Sequence, residues 1–394
     1  MNKLLYISTG LPEEEVKEIQ KKQCNFASNA IMPISVFHRN IVLGHTKVYD
    51  EVQALCGVPI SYKYYKILRY KSKRVEKDGV KYVIPGFFNI SVIKQLTIVF
   101  KLFFHIVGWL VKNRKHNTNV IIDGSFYTGL VPLWFASKLF KIKSAAILVD
   151  YYAFMHPEQT TKAQKLYYKM LKSINCFAFV TKQLEAEVNV EKKDYIIMEG
   201  LVHISPEDDN EKEVEDYCMY AGGLHEMYGL KTLVDAVHES KIPYSLHLYG
   251  NGDTIEYVKE VSKKDPRIQY KGVVSHDELL EIEKKAKLLI NPRPVHGQLD
   301  TRFNFPSKLM EFMQSGRPVI TTRLLGIPED YEHRMYFFEG DTKEELKKGL
   351  ERVLSIDEKE LAAFGKDAKK YINENKNNVA RSKQLFEMLN SKDS

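Results

Sequence analysis

The sequence predicts an α/β protein with two Rossmann-like domains that face each other across a cleft. In the first half, strand-like runs alternate with helical segments, which is typical of a mostly parallel sheet covered on both faces. A polar, acidic stretch, SPEDDNEKEVED, interrupts this pattern at 205–216, and the alternation restarts after it. Folds of this kind bind ligands beyond the carboxyl ends of their strands, so the cleft is the expected site.

The same alternation predicts the domain boundaries. We expect an N-terminal domain at 1–204, the acidic linker at 205–216 and a C-terminal domain at 217–375. A last helical stretch within 376–394 is long enough to cross back to the N-terminal domain. The runs that predict the strands are KLLYIS, NVIID, SAAILVD, CFAFVT and DYIIME, then YCMYAGG, YSLHLYGNGD, RIQYKGVV, KLLINPRP and RPVITT.

The composition allows sizeable cores, since 44% of the 394 residues are hydrophobic. The four cysteines are widely spaced and form no CxxC pair, so neither a disulfide framework nor a zinc site is indicated, and a reducing, cytoplasmic setting is expected. The first apolar run is too short for a signal peptide, and no run reaches eighteen uncharged apolar residues. We therefore expect no membrane-spanning segment.

Nearly all of the basic excess lies in residues 61–116, which carry thirteen Lys and Arg against two acids. Alternating runs around a Lys-Asp-Gly turn predict a hairpin there. An apolar helical run follows, and its charged and aromatic residues include Lys94, Lys101, Phe103, Phe104, His105 and Trp109. Two interpretations remain open: peripheral contact with anionic lipid, or a helix packed on the sheet with snorkelling lysines. No nucleic-acid-binding motif is present, so nucleic acid is not an expected partner.

The stretch FNFPSKLMEFMQSGRPVITT predicts a helix at 306–314 followed by a buried strand. Pro306 suits the first helical position and Gly316 suits the C-terminal cap. Amides at the start of such a helix, with the helix dipole and a lysine, form an anion site suited to phosphate. Its residues are Ser307, Lys308 and Leu309. Glu311, one turn further on, could accept hydrogen bonds from a ribose diol. The alternative is an ordinary helix with a solvated Lys and Glu.

Glycine turns follow several strands of the second domain, in the order YAGGLHEMYGL, LYGNGD and YKGVV, and then NPRP and FPSKLMEFMQSGRPVI. This ordered set, over about residues 217–330, resembles the nucleotide-sugar domain of family 4 retaining glycosyltransferases, which have the GT-B fold. The resemblance implies a retaining transferase that uses a nucleoside-diphosphate sugar.

The resemblance also implies roles for particular residues. Glu311 matches the glutamate that holds the donor ribose, and the amides at Ser307 to Leu309 match those that hold the diphosphate. The nucleobase turn corresponds to Gly272 and Val273, and the loop facing the donor phosphates to Gly222 and Gly223. In the first domain, Gly10 follows strand one and faces the acceptor and donor sugar. Asp150 occupies the place of a histidine near the transferred sugar.

Three positions depart from the family pattern. Gly223 and Tyr228 replace an Arg and a Lys that grip the diphosphate, and Phe303 replaces the first of two paired glutamates. The charge of a departing diphosphate must still be balanced. The candidate cations nearby are Arg293, Arg302 and Lys308, and simple surface solvation is the alternative for each.

No Asp-x-Asp pair occurs, so we expect no metal and no other cofactor, with protein cations and helix amides holding the diphosphate. Asp123 and Asp150 both end predicted strands, where a carboxylate could orient or deprotonate an acceptor hydroxyl. Either aspartate could instead cap a helix.

Taken together, the sequence predicts a glycosyltransferase at the inner face of the membrane. Its expected acceptor is a saccharide or a lipid-linked saccharide in cell-envelope or exported polysaccharide synthesis. The rival interpretation is a non-catalytic relative that binds a sugar nucleotide or a partner transferase as a scaffold. The interpretation as a nucleotide-sugar epimerase is weaker, because the basic segment at 61–116 would then have no role.

Overall fold

A computed structural model of the chain describes residues 1–22, 31–60, 65–150, 161–204, 212–295 and 301–391. It divides into two compact units. Unit 1 comprises Met1–Val180, Leu184–His203 and Asn378–Ser394, and unit 2 comprises Thr181–Gln183 and Ile204–Asn377. Of the predicted acidic linker, residues 205–211 lie outside the described part of the chain.

Unit 1 is built on an eight-stranded sheet. Its strands run in the order β10-β9-β8-β7-β1-β2-β5-β4, and all neighbours are parallel except β4 and β5. A separate antiparallel pair joins β3 to β6. The strands are β1 Asn2–Ser8, β2 Glu51–Cys56, β3 Arg69–Tyr70, β4 Lys73–Lys77, β5 Val80–Ile84, β6 Phe87–Phe88, β7 Asn117–Asp123, β8 Lys143–Leu148, β9 Cys176–Phe179 and β10 Tyr195–Ile197.

In unit 1, helix α4 packs on both α3 and α5, and helix α2 packs on α13. The central strands are buried along most of their length, as parallel strands covered on both faces should be. The helices are α1 Glu13–Gln20, α2 Ile31–His45, α3 Ser91–Asn113, α4 Tyr127–Leu139, α5 Thr161–Leu171, α6 Lys182–Val188 and the C-terminal α13 Asn378–Asn390.

The predicted hairpin is confirmed. β4 and β5 pair antiparallel, with Lys77 opposite Val80. Asp78 and Gly79 between them adopt φ values of 51° and 76°. Two successive residues with positive φ match the right-handed twist of the flanking strands, which explains the Asp-Gly sequence at this turn.

Helix α3 turns one apolar side inward. Ile98, Leu102, Ile106 and Trp109 are buried, and Trp109 is only 5% exposed. Its inclusion among the membrane-facing aromatic residues is therefore wrong, because the phase of the helix places it against the domain. Phe104 on the opposite side is 56% exposed.

Among the described residues, Val92–Asn113 is one helix that is long and apolar enough to cross a membrane, judged by length and composition alone. The sequence predicts no membrane-spanning segment, because charged residues interrupt this apolar run. Lys94 and Lys101 are too few to outweigh the apolar residues, and the mean hydropathy reaches 1.4.

Unit 2 contains a six-stranded sheet in the order β13-β12-β11-β14-β15-β16, with all strands parallel. A cluster of buried side chains from strands and helices lies in its core. The strands are β11 Tyr217–Gly223, β12 Ser245–Asn251, β13 Ile268–Gly272, β14 Leu288–Asn291, β15 Val319–Thr322 and β16 Tyr336–Phe338. The helices are α7 Leu230–Glu239, α8 Ile255–Ser262, α9 His276–Glu283, α10 Lys308–Gln314, α11 Lys343–Leu354 and α12 Glu358–Asn375.

The helix of the FNFPSKLMEFMQSGRPVITT stretch begins two residues later than predicted, at Lys308. Pro306 lies in the turn before it, and the carbonyl of Pro306 accepts a hydrogen bond from the Leu309 amide at 2.9 Å. The predicted end is confirmed, since Ser315 caps the helix and Gly316 follows with a φ of 80°.

The C-terminal helix α13 packs on α2 within unit 1. Asn378 Nδ2 donates to the Asn40 carbonyl at 3.0 Å. Further along the helix, Arg381 Nη2 donates to Glu199 Oε2 at 2.7 Å, and both side chains are buried. This buried ion pair links α13 to the segment after β10.

Candidate active site

The candidate donor residues of unit 2 collect at one edge of its sheet. Gly222 and Gly223 end β11, Gly272 ends β13, and Arg293 follows the last residue of β14 by two positions. Because the strands are parallel, these ends share the carboxyl edge. Helix α10 leaves from the same edge, since it connects β14 to its parallel neighbour β15, and Lys308 is its first residue.

Arg293 lies over the aromatic ring of Tyr228, with its guanidinium carbon 5.3 Å from the ring centroid. Burial lowers the pKa of Arg293 from its ordinary value. Its Nε is buried and has no hydrogen-bond partner within the described residues. Arg293 as a whole is half-buried, and a partly desolvated cation with an unused donor is stabilised when an anion pairs with it. Arg293 is therefore the best placed of the three candidate cations to receive an anion.

Two glycines allow the Tyr228 ring to occupy this position. A Cβ atom at Gly223 would lie 2.9 Å from Cε2 of Tyr228. Gly229 has a φ of 81°, and a Cβ there would lie 2.2 Å from the Pro292 carbonyl oxygen. The two departures from the family pattern, Gly223 and Tyr228, thus form one packed unit with Arg293. We call Gly223, Tyr228 and Arg293 the Arg293 platform.

Lys308 and Glu311 pair with each other at the start of α10. Lys308 Nζ donates to Glu311 Oε2 at 2.6 Å, and both side chains are about one third exposed. Glu283, on α9, lies beneath them, with Oε1 3.8 Å from Lys308 Nζ. Burial raises the pKa of Glu283 to about 8, and neither of its oxygens has a hydrogen-bond partner within the described residues. The sequence did not single out Glu283, because nothing near it forms a motif.

One of the three amides predicted for phosphate is already used. The Leu309 amide donates to the Pro306 carbonyl, so Leu309 does not offer a hydrogen to an anion. The Leu309 side chain is fully buried. Ser307 and Lys308 remain as the candidate amides at this turn.

The remaining unit 2 candidates lie at the surface or in the core. Gly272 has a φ of 82° and Val273 is 71% exposed, so this turn leaves its backbone open to a planar group. Arg302 is exposed, and its guanidinium lies 5.0 Å from the Phe303 ring centroid. Phe303 itself is buried, so an apolar ring occupies the position of the first family glutamate.

In unit 1, Asp123 is only 1% exposed. His38 Nε2 lies 3.1 Å from Asp123 Oδ2, and the Ser125 amide donates to Oδ1 at 2.9 Å. Burial alone would raise the pKa of Asp123, but His38 and Ser125 outweigh it and lower that pKa. Tyr6 Oη lies 2.7 Å from the other His38 nitrogen. That Asp123 orients or deprotonates an acceptor hydroxyl stays a prediction, and in this structure these partners enclose its carboxylate.

Asp150 follows β8 at the carboxyl edge of unit 1, and its side chain is exposed. Partial desolvation and the charge of Asp123 raise the pKa of Asp150. Gly10 is buried, and a Cβ there would lie 2.9 Å from the His38 Cβ atom. Gly10 thus allows close packing of α2 against the loop after β1. Asp150 is the accessible carboxylate of the predicted pair.

Residues 215–355 match the sequence profile of a family described as Glycosyl transferases group 1. A comparison with curated proteins finds no match. Among solved structures, a sucrose-phosphate synthase from Thermosynechococcus elongatus is similar at a TM-score of 0.62 and 13% identity, over 99% of both chains. Anabaena HepE, determined in complex with UDP, has a TM-score of 0.61 and 15% identity, over 99% of this chain and 100% of the other.

A third similar structure is the lipopolysaccharide outer core galactosyltransferase WaaB, with a TM-score of 0.60 and 14% identity over 99% of both chains. These likenesses and the two mostly parallel sheets confirm the predicted GT-B fold. The fold is therefore that of GT-B glycosyltransferases. Residues 215–355, which match the group 1 profile, contain the Arg293 platform and α10.

Proposed function

We propose that this protein transfers a sugar, with retention at the anomeric carbon, from a nucleoside-diphosphate sugar to a saccharide acceptor. The observation that carries the proposal is the Arg293 platform. It places a half-buried cation at the carboxyl edge of the unit 2 sheet, where Lys308 and the first turn of α10 also lie. An anionic diphosphate is the ligand that two such cations at a sheet edge suit.

In this proposal the open turn at Gly272 and Val273 receives the nucleobase, and Glu311 accepts hydrogen bonds from the ribose. The Ser307 and Lys308 amides hold the diphosphate with the Lys308 side chain. Negative charge grows on the diphosphate as the bond to the sugar breaks, and preorganised donors stabilise it most in the transition state. Arg293 supplies the second cation, so no divalent metal is required.

We propose a lipid-linked saccharide as the acceptor, in cell-envelope or exported polysaccharide synthesis on the cytoplasmic side of the membrane. One similar protein supports this choice by its description, since WaaB is a lipopolysaccharide outer core galactosyltransferase. Asp150 is the residue of unit 1 that we expect to orient the acceptor hydroxyl, because its carboxylate is accessible and its pKa is raised.

A thermal-shift screen of UDP, GDP and their sugar conjugates tests the donor class, with UDP compounds first because HepE was determined with UDP. A donor that stabilises the protein is then assayed for hydrolysis and for transfer, with and without EDTA. We expect turnover that EDTA leaves unchanged. Loss of turnover with EDTA would contradict the metal-free mechanism, and a screen with no stabilising nucleotide would contradict the proposal itself.

A non-catalytic scaffold is the second candidate. Gly223, Tyr228 and Phe303 stand where the family pattern has an Arg, a Lys and a Glu. The loss of these three charged residues favours the scaffold. The scaffold predicts that the protein binds a sugar nucleotide but neither hydrolyses nor transfers it with any lipid-linked acceptor. Binding and turnover measured on the same preparation separate the two functions.

A further inference from the structure

Helices α3 and α4 expose a continuous set of large apolar side chains on unit 1. Single exposed apolar residues are ordinary, but several on two adjoining helices indicate an interaction surface. We call this set the α3–α4 face. Its members, with their exposed fractions, are Leu96 at 66%, Phe100 at 64% and Phe104 at 56% on α3, and Phe135 at 51% and Leu139 at 66% on α4.

An apolar groove of about 770 Å³ runs between the two helices at this face. Its walls include Val99 and Phe103 from α3 and Pro132 from α4, in addition to members of the face itself. Phe100 and Phe104 pack edge to face, with ring centroids 4.7 Å apart. The face is therefore a formed surface of packed rings and not a set of isolated side chains.

Two lysines fix α3 to its own domain. Lys94 Nζ donates to the Ile60 carbonyl, and Lys101 Nζ donates to the Gly86 carbonyl at 2.6 Å. Burial lowers the pKa of Lys94 to about 8. Trp109 is buried on the same side of the helix as the other inward residues. To span a bilayer, α3 would have to give up these contacts, so a position in the plane of a surface fits its packing better.

The surroundings of the face carry many basic side chains and few acids, one of which, Glu76 on β4, lines a pocket with Phe104 and Lys112. Between residues 79 and 149 the sequence has nine Lys and Arg and a single acid, Asp123, which is buried. Helices α3 and α4 precede the parallel strands β7 and β8, so both end at the amino edge of the sheet. The basic residues grouped at these two helix ends are Lys112, Arg114, Lys115, Lys138, Lys141 and Lys143.

We propose that the α3–α4 face docks in the surface of an anionic lipid bilayer. Its apolar side chains enter the acyl boundary, and the basic helix ends contact the phosphate headgroups. Aromatic and aliphatic residues beside lysines that lack acidic neighbours are the combination that anionic bilayers bind. This docking does not rest on the transfer reaction proposed above, and it extends the surface to α4, beyond residues 61–116.

Flotation of the full chain with vesicles tests the proposal. Phosphatidylcholine vesicles mixed with phosphatidylglycerol are compared with phosphatidylcholine alone, at low and at high salt. We expect binding to the anionic vesicles that weakens with salt, because headgroup charges are screened within about 10 Å at 0.1 M. Phe100→Ser combined with Leu139→Ser should lower the partition coefficient at least about tenfold, since both side chains lose their apolar area.

The matched control is Val190→Ser, which removes an apolar side chain that is 78% exposed elsewhere on unit 1. It should bind like the unmodified protein. A charge variant, Lys138→Gln with Lys141→Gln, should weaken binding to anionic vesicles several-fold. Circular dichroism checks folding, and nucleotide-induced thermal shifts in lipid-free buffer should be the same for every variant. This separates failure of docking from failure of the donor site.

Three results would overturn the proposal. One is the absence of vesicle binding at low salt. Another is equal binding by the Phe100 and Leu139 variant and the unmodified protein. The third is a lipid-free dimer that the Phe100 and Leu139 variant dissociates, which would make the face an interface between two copies of the chain.

Discussion

Lys308 and Glu311, the two side chains expected to hold different parts of a donor, are bound to each other, with Nζ 2.6 Å from Oε2. Glu283 lies 3.8 Å from the same nitrogen. A nucleotide whose ribose takes Glu311 and whose diphosphate takes Lys308 must separate this pair. The pair is partly exposed, so the cost of separating it is small, roughly 1 kcal/mol or less.

Glu311→Gln should weaken binding of the nucleoside diphosphate at least tenfold. The substitution removes charge-assisted hydrogen bonds to the ribose, worth roughly 1.5 to 3 kcal/mol each. Calorimetry measures the affinity. The matched control is Glu344→Gln, which breaks a similar i,i+3 pair with Lys347 on α11 and should leave the affinity unchanged. Equal affinities for the Glu311 variant and the unmodified protein would remove Glu311 from the donor site.

Glu283 should make the stability of the protein depend on pH. Burial raises its pKa to about 8 from an ordinary value of 4.5. Between these values the folded chain binds more protons than the unfolded chain, so the free energy of unfolding should fall as pH rises. Glu283→Gln removes this contribution. Its stability relative to the unmodified protein should therefore increase with pH across the window, by up to about 1.4 kcal/mol per pH unit.

Urea unfolding at several pH values between 5 and 8 measures this difference. Glu281→Gln on the same helix is the control. Lys284 lowers the pKa of Glu281. The contribution of Glu281 to the free energy of unfolding therefore changes with pH below this window and not within it. If the Glu283 and Glu281 variants show the same pH profile, Glu283 does not carry a proton in the folded protein.

Arg293→Ala should lower the turnover number by about 10² to 10³, because Arg293 would stabilise charge that develops in the transition state. The Michaelis constant for the donor should change far less. Steady-state kinetics with a fixed acceptor measures both. Arg323→Ala is the control, since Arg323 also lies over an aromatic ring, that of Phe337, and is more exposed. A turnover number within about twofold for the Arg293 variant would contradict the proposed compensation for the missing cations.

Tyr228 should act through its ring. Tyr228→Phe keeps the surface beneath Arg293 and should retain turnover within about twofold, whereas Tyr228→Leu removes the cation–π contact and should lower it. If the Leu variant lost turnover only because the loop had rearranged, nucleotide affinity would fall in parallel. The positioning role predicts that turnover falls while the affinity stays nearly constant.

The buried pair of Arg381 and Glu199 should be needed for the stability of unit 1. Arg381→Ala breaks the buried ion pair with Glu199, which costs roughly 3 to 5 kcal/mol. Lys383→Ala is the control, because its pair with Glu387 on the same helix is exposed and should contribute about 0.5 kcal/mol or less. Similar unfolding midpoints for the two variants in urea would show that α13 does not depend on this pair.

Much of the fold could be predicted from the sequence because local patterns determine it. Runs such as NVIID and SAAILVD are mostly apolar and correspond to the buried strands β7 and β8. The Asp78-Gly79 pair predicts its own turn, because this turn requires two successive positive φ values, which Asp-Gly readily adopts. The order of glycine turns along the second half also identified the class of domain that residues 215–355 form.

Side-chain partners were decided only by the tertiary structure. Trp109 and Phe104 are both aromatic residues of one apolar helix, yet one is buried and the other exposed, because packing against the sheet fixes the phase of α3. Glu283 and Lys308 are far apart in sequence, and only the packing of α9 beside α10 brings their charges together.

The sequence by itself determined the α/β alternation, the glycine turns and the residue types available to bind a phosphate. It also showed that Gly223 and Tyr228 depart from the family pattern, but not what the departures do. The tertiary structure places Tyr228 in the space that Gly223 leaves open and Arg293 on the Tyr228 ring. The physical reason is that strand and turn propensities act between neighbours in sequence, whereas steric space and charge act between neighbours in space.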